Sequence, residues 1–277
     1  MSFCLLITTG CSNGNISKIS REDDNDLTLI IKPNSDEDIN SWMRSIEEKN
    51  AGDLSEEEYQ YFPFYFLNRL SKYSTYQSET SGNTQATVLG VTTTQTISAK
   101  AIKSEYSYMK NESHSNIVNL VHEAYFHSQE VIYRNNGDKY TLSELSDYLD
   151  TFGVNPFGST IEGYSVSQGA INSISREKYD NYYVFNLDFN VDTATNNVKI
   201  QMKKFGSLDN YPTFKLINVA VMVQDDFTPV KIELNSKYKV KKIVDSNCTQ
   251  KYTVIYSHFN EDIKIPNLDK IKPQFTD

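Results

Sequence analysis

Long apolar runs are missing from this chain of 277 residues. No window offers the roughly 18 uncharged apolar residues that a bilayer-crossing helix needs, so no helical span is expected. Glycine (11) and proline (7) are scarce, whereas tyrosine (19) and phenylalanine (14) are plentiful. With the β-branched residues, these aromatics fit a pleated, half-buried surface, and the bias is toward strands. Catalytic signatures are missing too. There is no G-x-S-x-G and no phosphate-binding loop, and the four histidines are scattered. His122-Glu123 and His127 hint at a metalloprotease, but H-e-x-x-h chemistry needs histidines four apart on a helix. These are five apart in a strand-like stretch, where they point to opposite faces, so no metal site is expected. Acidic neighbours such as Asp225-Asp226 read as turn residues. No enzyme and no cofactor is expected.

Three cysteines, Cys4, Cys11 and Cys248, cannot form a fully paired framework, and none has the C-x-x-C spacing of a zinc or redox site. Cys248 reads as a small buried or half-buried hydrophobe. A basic stripe is also absent. The nearest candidate, Lys237, Lys239, Lys241 and Lys242, mostly alternates with Tyr238 and Val240 and reads as the solvated face of a strand, which excludes a nucleic-acid partner.

The net charge of −9 is uneven: residues 1–60 hold thirteen acidic and five basic side chains, while the rest is almost neutral. Within that leader, "LLITTGC" closes an apolar run on a small residue and a cysteine. It resembles a lipobox, with Gly10 before the cleavage point and Cys11 as the acylated residue. The departures are Thr8 in place of a leucine, only five strongly apolar residues from Phe3 to Ile7, and no preceding Lys or Arg. A true start upstream of Met1 would repair them. Residues 12–35 then form a disordered tether, almost without apolar content up to residue 27 and able to span at most ~80 Å. The expected location is extracytoplasmic, lipid-anchored to the cell membrane through Cys11. A single folded domain is expected over 36–277.

Ser35 or Asp36 caps a short helix with Ile39, Trp42 and Ile46 on one face. Ser55 precedes three glutamates and caps a second, whose stripe is Phe62, Phe66, Leu70 and Tyr73; Pro63 must sit in a first turn or mark a break. From about residue 84 the period changes to two, in two long β-rich stretches, the second closing on an Asn136-Gly137 turn. "YTLSELSDYLDTFG" predicts a helix with a Thr141/Glu144 capping box, a buried stripe of Leu142, Leu145 and Leu149, and a stop at Gly153. A hairpin turn at Asp180-Asn181 leads into Tyr183, Phe185, Leu187 and Phe189 on one strand face. Asp192 caps a helix to about Lys204. Three strands follow, with Val219, Val221 and Val223 pairing across Asp225-Asp226 with Val230, Ile232 and Leu234. The order predicts an α+β antiparallel fold.

The run from the tyrosine-rich strand through "DTATNNVKIQMKKF", "VQDDFTPVKIELNSKYKVKK" and "YTVIYSHFNEDIKIP" resembles the second half of the LolA/LprG-like lipoprotein superfamily, Gram-positive members of unassigned function in particular. The shared elements are a meander strand ending in an acidic turn, a D-x-x-P step from Asp226 to Pro229, and a last strand running to I-x-I-P at Ile263–Pro266. The likeness covers about residues 85–266 and rests on layout. It implies a curved antiparallel sheet forming an open half-barrel with helices on its concave side, whose apolar face receives lipid acyl chains. No catalytic residue carries over. The ligand-lining candidates are Phe62, Phe66, Leu142, Leu145, Leu149, Tyr183, Phe185, Leu187, Val219, Val221, Val223, Val230, Ile232 and Leu234. The same stripes equally serve a filled interior in a structural or protein-interaction module of the envelope. An apolar void beside Phe185, Leu187, Val221 and Ile232, or beside their opposite-face neighbours, would separate the two.

Overall fold

The computed structural model describes residues 49–116, 119–152, 171–192, 198, 199, 202, 208, 210–241 and 245–276. The lipobox with Cys11, the tether and the helix expected after Ser35 lie outside the described residues, as does Gly153.

Eleven strands form one sheet: β1 (Tyr76–Val88), β2 (Val91–Lys103), β3 (Ser107–His114), β4 (Asn119–His127), β5 (Glu130–Asn135), β6 (Thr141–Glu144), β7 (Ile171–Tyr179), β8 (Tyr182–Phe189), β9 (Thr213–Gln224), β10 (Pro229–Lys241) and β11 (Asp245–Ser257). The spatial order is β6-β5-β4-β3-β2-β1-β11-β10-β9-β8-β7, with every neighbouring pair antiparallel. Strands β6 and β7 are its edges. The sheet is a curved, open half-barrel of α+β class with its two longer helices on the concave side and a short C-terminal one on the other.

Helix α1 (Phe62–Lys72) follows a 3-10 segment, Glu56–Tyr61. Ser55 and Glu58 exchange the reciprocal bonds of a capping box, and Pro63 occupies the first turn of α1, where its missing N–H costs nothing. The predicted stripe is real: Phe62, Phe66 and Leu70 are buried, and Tyr73 caps the end half-buried. Helix α2 (Leu145–Phe152) covers the far end of the same face, and a short helix α3 (Leu268–Ile271) lies in the C-terminal segment.

Two expectations need correction. Thr141–Glu144 is not a helix start but edge strand β6, paired from Tyr133↔Thr141 to Glu130↔Glu144. The backbone groups that a capping box would satisfy are taken by the sheet, and Leu142 points outward at 45% exposure. Helix α2 starts at Leu145, and its most buried side chain is Tyr148, with Leu145 and Leu149 packed beside it. Val230 is the second correction. Val223 faces Pro229, Val221 faces Ile232 and Val219 faces Leu234, but a register shift between Pro229 and Lys231 leaves Val230 in a bulge, half-buried. Of the helix expected from Asp192 to Lys204, the structure describes Asp192 in a turn and Val198, Lys199 and Met202 as helical.

Candidate functional site

Direct pairing places residues of neighbouring strands on one face, so the concave face can be read in rows. One row runs Phe185, Val221, Ile232, Val254, Thr80, Ala99, Asn111, His122; the next runs Leu187, Val219, Leu234, Tyr252, Gly82, Ile97, Ser113. Their composition changes from strand to strand. On β8 to β11 they are large and apolar, and Phe185, Leu187, Val219, Val221, Val223, Ile232 and Leu234 form one buried cluster with α1. Tyr183, at the strand's start, packs on the edge of that cluster. Val198, Met202 and Leu208 are buried in it too.

Helix α1 seals its end of this cluster with rings. Phe62 stacks on Phe185 with centroids 3.9 Å apart, Tyr65 on Phe227 at 4.7 Å, and Phe66 meets Tyr256 edge-on at 6.3 Å. Burial pushes the Tyr65 hydroxyl up to about 12, helped by the charge of Glu58. Polar ties hold the C-terminal end of the helix and the segment that precedes it. Arg69 Nε donates to the carbonyl of Asp226 (2.6 Å), and Tyr73 bonds Thr228. Arg176 of β7 donates to the carbonyls of Ala51, Gly52 and Leu54 at 2.7–3.0 Å and lies over the ring of Tyr59. The expected void beside Phe185 and Val221 is therefore occupied by the protein's own side chains. Their opposite-face neighbours Asn186, Ala220 and Glu233 line a groove of about 860 Å³ of mixed character, with Leu216 as well as Asn83, Asp188, Asn235 and Lys251 in its lining.

A second cluster lies at the other end, where α2 covers Met109, Ala124, Phe126 and Val131 with Tyr148. His122 joins it, its Nδ1 bonded to Asn135 Oδ1 and its Nε2 to the Tyr148 hydroxyl, both at 2.7 Å. Burial pushes its pKa down against the opposing pull of Asn135 and the charge of Glu123. His127 stacks on Tyr106 from the opposite face, as the alternation requires. Among the described residues no group of His, Cys, Asp or Glu is placed to hold a metal.

Between the clusters most inward positions of the central strands are small or polar: Ser78, Thr80, Gly82 and Thr84 on β1, Ala99 and Ala101 on β2, Asn111 and Ser113 on β3, with the buried Ile97 of β2 as a large apolar exception. Gln95 Nε2 donates to Ser113 Oγ at 2.5 Å, and the buried Oδ1 of Asn111 has no hydrogen-bond partner among the described residues. Sequence reading missed this strip because it has no apolar alternation. The signal was the inverse, a run of small side chains at every second position.

On the opposite face, the C-terminal segment covers β2–β5, carrying Ile265 and Ile271 against Ile102, Tyr108, Tyr125 and Ile132. Its pin is Glu123, which accepts from Arg134 Nε (2.6 Å), Tyr140 (3.0 Å), Tyr108 and Tyr125 (both 3.2 Å), while the Tyr125 hydroxyl also reaches the carbonyl of Pro266 at 3.0 Å. Burial opposes ionisation of Glu123, but Arg134 and the tyrosines outweigh it and hold its carboxyl below the usual range. Cys248 is buried as expected, and burial raises its thiol pKa.

No protein-family model matches the chain, and no curated protein does. Solved structures similar over most of its length include these three. LprF from Mycobacterium bovis is 9% identical, covering 76% of this chain and 97% of its own, with a TM-score of 0.39. A LolA superfamily protein from Nitrosomonas europaea is 11% identical over 79% and 97%, at 0.24. A DUF1329 family protein from Desulfovibrio piger is 8% identical over 77% and 95%, at 0.26.

Proposed function

We propose that this protein is a non-enzymatic, extracytoplasmic lipoprotein of the cell envelope, anchored through Cys11 on the tether 12–35, whose single domain binds a hydrophobic ligand on the concave face of the half-barrel. The observation that carries this reading is the strip of small side chains on β1, β2 and β3 between two ring-filled clusters. A face that served only as a core would gain from large apolar residues at its centre. Ser78, Thr80, Ala99 and Ala101 instead keep the inner surface of β1 and β2 shallow, Ser78, Thr80 and Ala101 being buried; a ligand chain that takes the place of what covers them gains ~0.8 kcal/mol per buried CH2. Asn111 gives the strip a hydrogen-bonding group, so the ligand class is an amphiphile with an acyl chain and a polar end. Phe62, Phe66, Leu187, Val219, Val221 and Leu234 bound the strip on one side, and Leu145 and Leu149 belong to the cluster bounding the other.

A second reading has its own support: the ties from Arg69, Tyr73 and Arg176 fix α1 in place, which suits a filled structural or protein-interaction module. Titrating the Cys11→Ser chain with a fluorescent fatty acid separates the two. Saturable one-site binding that Ala99→Phe abolishes, with the fold intact by circular dichroism, supports the carrier; absence of binding moves the weight to the module. The anchor is tested separately: globomycin should make a diacylglyceryl precursor accumulate, and membrane retention of Cys11→Ser through the tether region would count against it.

A further inference from the structure

The β1–β2 hairpin ends in a feature that the ligand site does not use. Its two-residue turn is Leu89-Gly90, with φ of 48° and 82°. Asn or Asp takes the first of these positions readily, whereas leucine there is conformationally costly. The leucine gains nothing from packing, since it is 90% exposed, as Val91 is 70% exposed. A side chain added at Gly90 would meet nothing within 4 Å. The strands below the tip are held rigid by Val88↔Val91 and Thr87↔Thr92 pairing, with the two threonine hydroxyls 2.9 Å apart. Residues 80–99 contain no charged side chain, in a chain that is 23% charged.

Basic residues stand beside this uncharged projection. Pairing sets Thr87 opposite Asn247, and Asn247 opposite Lys239, so Lys239 is two strands away; Lys241, opposite Asp245, lies one step nearer the tip. Lys237, Lys239 and Lys241 share the outward face of β10, alternating with buried Tyr238 and Val240, and Lys215 is exposed at the same end of β9. Asp245 offsets one charge through its bond to Lys239. The solvated strand face expected for these lysines is present, and it is also a positive rim at the end of the sheet from which the apolar tip extends.

We propose that the Leu89–Val91 tip inserts into the interfacial region of an anionic phospholipid bilayer, with Lys237, Lys239 and Lys241 contacting its head groups. An apolar wedge combined with lysines is the pairing of terms that holds a protein at such a surface. The orientation sets the uncharged inner positions of β1 and β2, from Val88 and Val91 through Ala86, Thr84 and Gly82, as a path from the bilayer to the central strip. That last step rests on the carrier reading; the membrane contact does not.

The test is co-sedimentation of the full-length Cys11→Ser chain, free of its anchor, with vesicles of phosphatidylcholine alone and with phosphatidylglycerol added. Binding is expected on the anionic vesicles and weakened by salt. Leu89→Asn should lower it by about tenfold or more, the worth of one buried leucine. It should leave the melting temperature unchanged or higher, because asparagine suits that backbone. Lys→Gln changes at 237, 239 and 241 should each lower it by about fivefold and flatten the salt dependence. Equal binding by Leu89→Asn and the parent chain, or no binding to anionic vesicles, overturns the proposal, as would a tip that captures only a protein. Fatty-acid titration without vesicles reads the strip alone, so loss of either function is seen independently.

Discussion

Phe62 and Phe185 lie face to face, 3.9 Å between centroids and 12° between planes, joining the first turn of α1 to the middle of β8 across more than 120 residues of chain. Both are fully buried. Phe62→Ala removes a ring from a closed cluster and is expected to cost about 3–5 kcal/mol. In urea denaturation the midpoint should fall, with the double variant Phe62→Ala/Phe185→Ala losing less than the sum because the two share one contact.

Gly82 of β1 pairs with Tyr252 of β11. A methyl group there would lie 2.3 Å from the Lys251 carbonyl oxygen and 2.5 Å from Tyr252 Cβ. Backbone cannot yield as a flexible side chain can, so Gly82→Ala should destabilise by about 1–3 kcal/mol despite its better strand propensity. Thermal melts of this variant against Ala86→Gly, at an ordinary position on the same strand, check it.

The two ends of the β6–α2 segment should respond oppositely. Leu142→Ala falls on a 45% exposed side chain and should shift stability by less than about 0.5 kcal/mol. Tyr148→Ala empties a site with four ring neighbours and leaves His122 Nε2 without its partner, so a loss of about 3 kcal/mol or more is expected. Equal effects would return Leu142 to the buried stripe.

Acid should weaken the fold in two steps. The pKa of His122 is lowered in the folded protein, so the unfolded chain binds its proton first and stability declines as pH falls below ~6.5, until the folded value is reached. Glu123 is also lowered; its contribution is complete above ~4.3 and is lost as pH falls through its folded value. Denaturation midpoints across pH should show the first step vanish in His122→Asn and the second in Glu123→Gln, the latter also costing about 1–3 kcal/mol at neutral pH.

The parts legible in the sequence were those where one face is apolar at a regular period. The stripe of Phe62, Phe66 and Leu70, the alternation of Phe185, Leu187 and Phe189, and the Val219/Leu234 and Val221/Ile232 pairs were all placed correctly. Local signatures failed where tertiary pairing competed for the same groups. Thr141 and Glu144 spell a capping box, yet β5 claims that backbone; Val230 obeys the alternation, yet a bulge removes it from the ladder. The start of β1 at Tyr76, eight residues before the apparent change of period, was hidden by the polar inner face that makes the central strip. Glu123 was passed over as half of a refused metal motif, because its partners Arg134, Tyr140 and Tyr108 meet it only across neighbouring strands and a loop.

Native mass spectrometry of the Cys11→Ser chain, purified without detergent and incubated with a membrane lipid extract, tests the carrier account most directly. A one-to-one adduct of lipid mass, prevented by Ala99→Phe, is expected. A bare protein mass after incubation would contradict it and leave the half-barrel as a filled interaction module.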